Sequence, residues 1–124
     1  MAAGKYSMLI EQGATVDISL AYKDSNNVAI NLTGYSARMK IRDNYADSAT
    51  TTYFALSSSL AADGTGITLG GVSGTVGIFI SAASTSVVNF DTAYYDLELV
   101  TGSANPIVTR LIQGTVKLSK EVTR

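Results

Sequence analysis

Apolar and polar residues alternate along most of the chain, so its dominant period is two. Val16, Ile18, Leu20 and Tyr22 alternate with Asp17, Ser19 and Ala21, the pattern of a strand with one buried face. The polar cluster Lys23–Asn27 has turn chemistry. Val28, Ile30 and Leu32 then alternate again until Gly34 breaks the run. Tyr35, Ala37, Met39 and Ile41 share one face, with Ser36, Arg38, Lys40 and Arg42 on the other. Val16 to Ile41 therefore predicts two or three antiparallel strands with one wet face.

The middle of the chain is less regular. Asp43–Thr52 is polar and aperiodic and reads as a loop, followed by a short strand at Tyr53–Leu56. Residues 61–66 form a glycine-rich turn. Ile67 and Leu69 alternate before the break at Gly70-Gly71. Val76, Ile78 and Ile80 give a strand over Thr75–Ile80. Residues 81–90 lose the period of two and predict a single helical turn, with Ser81 as N-cap and Val87, Val88 or Phe90 closing one end of the core. Ala93, Tyr95, Leu97 and Leu99 then alternate with Tyr94, Asp96, Glu98 and Val100. Gly102–Pro106 is a hairpin loop, and Val108–Leu118 is a long strand in which Gly114 marks a bulge or a close approach. Seven to nine short, evenly spaced strands predict an all-β antiparallel sandwich, immunoglobulin-like or jelly-roll-like. With a single proline in the chain, the strand edges are not blunted by proline, and a partner chain is expected to cover one of them.

Composition adjusts this picture. The 124 residues suit one domain, with residues 1–5 and 119–124 as flexible or partner-bound tails. A chain of this length buries roughly two-thirds of its unfolded surface. Charged residues make up only 15 %, so Ser, Thr, Ala and Gly must cover much of the surface, as is common in proteins of assemblies. The net charge of −1 provides no basic excess for phosphates or anionic membranes. No apolar run follows Lys5, and none approaches the length of a membrane span, so the reading is of a chain made in the cytoplasm without a signal peptide.

The chain has no histidine and no cysteine. Their absence removes the commonest general base, the commonest metal ligand and thiolate chemistry. The five lysines are scattered and do not form a serine–lysine arrangement. Asp96 and Glu98 share a strand face about 6.5–7 Å apart, a spacing that suits paired-carboxylate hydrolysis, but alternation on a wet face produces the same pair. Asp24, Asn26 and Asn27, and Asp43, Asn44 and Asp47, contain calcium-type ligands but read as ordinary turns. Gly64-Thr65-Gly66 lacks the strand and helix that a dinucleotide loop requires. No catalytic residue, metal or cofactor is expected. Seven tyrosines stand against no tryptophan. Tyr35 and Tyr95 are expected in the core, and exposed tyrosines elsewhere are natural interface anchors or sugar platforms. The predicted partner contacts are Tyr45, Tyr53, Tyr94 and Asn105, with the loops 43–52 and 102–106 and both termini.

Two stretches carry a family resemblance. The first is Tyr22-Lys23-Asp24-Ser25 followed by Ile30–Arg42. The second is Ile80–Thr85, then Tyr94–Val100, then Thr109–Ser119. In this order they resemble the β-sandwich virion proteins of tailed bacteriophages, in particular the N-terminal domain of baseplate upper proteins and small tail-associated sandwich proteins. A Leu-Thr-Gly-Tyr strand start, an Ile-Ser-Ala step into a turn, a Tyr-Asp-Leu-Glu strand and an Arg-Leu-x-x-Gly strand recur in them. The resemblance spans about residues 10–120 and implies no catalytic residues. Baseplate upper proteins carry a long C-terminal receptor-binding or trimerising part, and this sequence stops at Arg124 before any such part. The expectation is therefore a non-enzymatic adaptor in the tail baseplate or fibre attachment of a virion. It would bind other virion proteins and form a homo-oligomer in the particle, without contacting nucleic acid or membrane. The alternatives are a carbohydrate-binding sandwich module and a capsid decoration or head–tail connector protein.

Overall fold

The computed structural model describes residues 4–43 and 51–123. Among these residues, nine strands and one short α-helix follow in order. They are β1 (Gly4–Lys5), β2 (Met8–Glu11), β3 (Val16–Ala21), β4 (Ser36–Arg42), β5 (Thr52–Ser57), β6 (Gly66–Leu69), β7 (Thr75–Ile80), α1 (Ala82–Ser86), β8 (Thr92–Val100) and β9 (Val108–Ser119), with a 3-10 turn at Gly71–Ser73 between β6 and β7. One sheet has the order β1-β9-β8-β4-β5, with β2 continuing β1 along the same side of β9. The other has the order β3-β7-β6. The protein is thus an all-β sandwich. Of the two topologies expected, the strand order is the immunoglobulin one, with β5 added beyond β4. In a departure from that scheme, the first strands run parallel to the last strand, and among the described residues β3 pairs only with β7.

The period of two produces the core directly. On β8, Ala93, Tyr95, Leu97 and Leu99 are buried while the residues between them are half-buried. Met39, Ile41, Ile67, Val76, Ile78 and Ile80 bury their side chains from the neighbouring strands. Burying one such side chain stabilises by about 1.5–3 kcal/mol relative to exposure. The helical turn forms where expected, and Ser81 caps it by accepting a hydrogen bond from the Ser84 N–H at 3.1 Å. Val88 and Phe90 enter the core, whereas Val87 is exposed.

The structure departs from the sequence reading in two places. First, the alternation Val28–Leu32 makes no strand. The Asp24 carboxylate accepts the N–H groups of Asn26 and Val28, which closes a turn. Leu32 then bonds across to Gly71 through its N–H. Local side-chain bonds to the backbone outcompete the ladder there. Second, described residues of both expected tails are paired with the fold. Gly4 and Lys5 pair with Ile112 and Gln113, and the Glu121 N–H reaches the Gln12 side chain at 2.9 Å. Of the two readings of Gly114, the structure selects the close approach. A Cβ there would collide with the Tyr6 carbonyl oxygen, which also accepts the buried Tyr95 hydroxyl at 2.7 Å. The bulge falls at Leu111, where the register with β8 shifts.

One end of the sandwich is closed by a buried polar knot. Thr85 is fully buried. Its hydroxyl accepts the Gly13 N–H at 3.1 Å and donates to the Ala14 carbonyl at 2.9 Å. Gln12 beside it donates to the Val88 carbonyl at 2.7 Å. At the opposite end, the β3–β4, β6–β7 and β8–β9 connections interlock: Tyr22 bonds Gly74, and Gly102 packs on the Gly34 carbonyl.

Candidate functional site

The outward face of the large sheet concentrates the chain's chemistry. Alternation places Arg38, Lys40 and Arg42 on the wet face of β4, and Tyr94, Asp96 and Glu98 on that of β8. Strand register then brings them together in three rows. Arg110, Glu98, Arg38 and Ser57 form the first, Gln113, Asp96, Lys40 and Ala55 the second, and Thr115, Tyr94, Arg42 and Thr52 the third. A groove of about 650 Å³ runs over these rows between β5 and β8.

The charges in the groove are unevenly satisfied. Arg38 Nε bonds Glu98 Oε1 at 2.8 Å, and Arg110 lies 3.5 Å from Asp96. Such exposed pairs contribute about 0.2–1 kcal/mol each. Both carboxylates are thus engaged by arginines, while Lys40 makes no ion pair among the described residues. Partial burial, and then the neighbouring Glu98 charge, push the Asp96 carboxyl above the ordinary carboxylate range. The three rows hold four of the chain's nine Lys and Arg against two of its ten acids.

β5 forms the border of this face and pairs only with β4 among the described residues. Its sequence, Thr-Tyr-Phe-Ala-Leu-Ser, contains no charge and no proline. The Ser58 N–H bonds the Ala37 carbonyl. In an alternating antiparallel ladder, Leu56 then turns its backbone groups toward β4, and Ala55 turns its own outward. Gly66 packs against the Ser57 carbonyl and closes the far end of this edge, so the open stretch centres on Ala55.

The predicted contact residues are scattered by the fold. Tyr94 is half-buried in the groove beside Asp96. Tyr53 sits at a register irregularity of β5 and stacks on Phe90, with ring centroids 4.5 Å apart. Asn105 is exposed in the β8–β9 loop at the far end of the sandwich. Tyr45 lies outside the described residues. That far end also exposes apolar side chains on three loops: Val28, Val72 and Ile107 at 59, 73 and 67 %. Periodicity had already placed Arg38, Lys40 and Arg42 on a wet face. It carried no signal that β4 and β8 are neighbours, which is what turns two polar faces into one groove.

The other candidates have structural roles. Asp63 accepts the Ser81 and Ser84 hydroxyls and the Thr65 N–H. These bonds, the Ser81 hydroxyl foremost, lower its pKa to about 2 and tie residues 61–66 to the start of α1. Asp24 closes its own turn. Asn44 and Asp47 lie outside the described residues. Among the described residues, no three acidic groups come together to hold a metal, and no helix is long and apolar enough to cross a membrane. No protein-family model matches the sequence, and no curated protein matches it.

Proposed function

We propose that the protein is a non-enzymatic adaptor of a tailed-phage particle, in the baseplate or fibre attachment, that binds neighbouring proteins through its sheet edge and outer face. The observation that carries the binding mode is the β5 edge, unpaired among the described residues, uncharged and free of proline, bordering the groove. Soluble proteins normally guard such an edge with charge, proline or a covering element, and strand addition is the common use of one left open. The virion setting rests on the resemblance of Ile30–Arg42, Tyr94–Val100 and Thr109–Ser119 to phage sandwich proteins. Mass spectrometry of purified particles, with antibody labelling viewed by electron microscopy, tests it. Label at the tail tip or fibres supports the adaptor. Label confined to the head or neck replaces it with a decoration or connector role, and absence of the chain from particles removes the virion reading.

A second reading draws on one observation, Tyr94 beside Asp96 in a shallow groove, which is a sugar-platform arrangement. Under it the protein is a carbohydrate-binding module. Hits on a glycan array that disappear with Tyr94→Ala would favour this reading, and an array without hits at high protein density would count against it.

A further inference from the structure

Resting on the edge-binding reading above, we infer that the occupant of the β5 edge is an extended partner segment carrying acidic side chains at alternate positions. The argument comes from the sign of charge across the sheet. In the row at Arg110, charges alternate from Arg110 to Glu98 to Arg38 and stop at the neutral Ser57. In the row at Lys40, Asp96 is drawn toward Arg110 on one side, and the small Ala55 lies on the other. In these two rows the anions therefore sit on the β8 side of Arg38 and Lys40 and are already engaged, while among the described residues the β5 side of the rows has none.

A strand added to β5 stands two strand spacings from β4, roughly 10 Å. Ala55 and Ser57 between them present no bulk. Long lysine and arginine stems can lie over those residues and meet a glutamate from the added strand. The outward N–H and C=O of Ala55 supply the main-chain pairing, and alternation places every second partner residue on the cationic side. The partner's opposite face comes to lie beside Leu60, which is 52 % exposed, so the intervening residues are apolar. Among the described residues the three rows carry two more cations than acids, on a chain of net charge −1, which selects acidic segments against basic ones.

The test is amide NMR titration of the full chain with a capped ten-residue peptide alternating glutamate and valine, and with its lysine–valine counterpart. The expected result is shifts confined to β4 and β5, with the acidic peptide binding at least tenfold tighter and weakening as salt rises. Lys40→Glu should cut the acidic peptide's affinity several-fold, with Lys40→Gln in between, each variant first shown folded by its amide spectrum. Ala55→Pro, at an N–H that faces solvent and so costs no ladder bond, should abolish binding of either peptide.

Equal affinity for the two peptides, or indifference to Lys40→Glu, overturns the acidic occupant. If Ala55→Pro still abolishes binding in that case, the edge reading stands without it. Binding that survives Ala55→Pro overturns both. A single-stranded oligonucleotide that binds the same face and is unaffected by Ala55→Pro also overturns the inference, because it makes the groove a phosphate site.

Discussion

Replacing Thr85 by Val tests whether the buried knot, and not apolar packing alone, locks the helix end of the sandwich. The two side chains have nearly the same shape, so the substitution removes a hydroxyl and little else. That hydroxyl holds the Gly13 N–H at 3.1 Å and the Ala14 carbonyl at 2.9 Å. Leaving a buried polar group unpaired costs about 1–3 kcal/mol. Gly13 is only half-buried and Ala14 is exposed, so water re-pairs them in part and the lower figure applies to each. Burying a methyl in place of the hydroxyl returns a fraction of this, and the expected net loss is about 1.5 kcal/mol. For a chain of this size that is a fall in Tm of about 5–7 °C. Urea unfolding should show a lower midpoint at unchanged slope, and hydrogen exchange should quicken at Gly13. Thr85→Ser keeps the hydroxyl and loses one methyl, about 0.8 kcal/mol, so it should be the milder variant. A Thr85→Val protein as stable as the parent, with Thr85→Ser the weaker of the two, would refute the reasoning.

Four further outcomes are expected. Gly114→Ala drives a Cβ into the Tyr6 carbonyl, a backbone atom that cannot swing aside; it should cost about 2 kcal/mol or more and strip exchange protection from β2 first, and intact protection there would contradict the close approach. Tyr95→Phe removes the bond to that same carbonyl and should cost about 1 kcal/mol in urea unfolding, with no change expected if the N-terminal strand is not held there. Asp63 has a folded pKa of about 2, below the roughly 3.9 of an unfolded aspartate. Its stabilisation is therefore complete above about pH 4 and is lost as pH falls toward 2. Asp63→Asn should flatten the acid side of the stability curve measured by urea midpoints, and an unchanged slope would count against the hydroxyl cluster. Asp96 shifts the opposite way, so carbon-detected NMR titration should find it deprotonating well above Asp63.

Much of this fold was legible because the core is built on strict alternation. The strands β3 to β9, the helical turn at Ser81 and the two-faced β8 all follow from local pattern. Val28–Leu32 misled because its period is genuine, but Asp24 offers the backbone a turn two residues on, and that local bonding competes with a ladder. β1 and β2 were invisible because four residues, Met8–Glu11, cannot establish a period. Their partner also lies more than a hundred residues away in β9. The groove was legible only in halves. Arg38, Lys40 and Arg42 and the pair Asp96 and Glu98 each read as a wet face, but the pairing of β4 with β8 is decided by which sheet each strand joins. The stacking of Tyr53 on Phe90 was hidden for a similar reason: it depends on the irregularity between Ile41 and Arg42, which periodicity does not reveal.

The central claim is that the β5 edge is where the protein meets its partner. Photo-cross-linking tests this most directly, with a photoreactive residue at position 55 and a control at position 28 on the loop end, in assembled particles. The account predicts cross-links from position 55 to a second virion protein, captured on an extended acidic segment, with position 28 largely silent. Cross-links from position 28 alone, with position 55 open to solvent, would contradict it and move the interface to the loops that carry Val28, Val72 and Ile107.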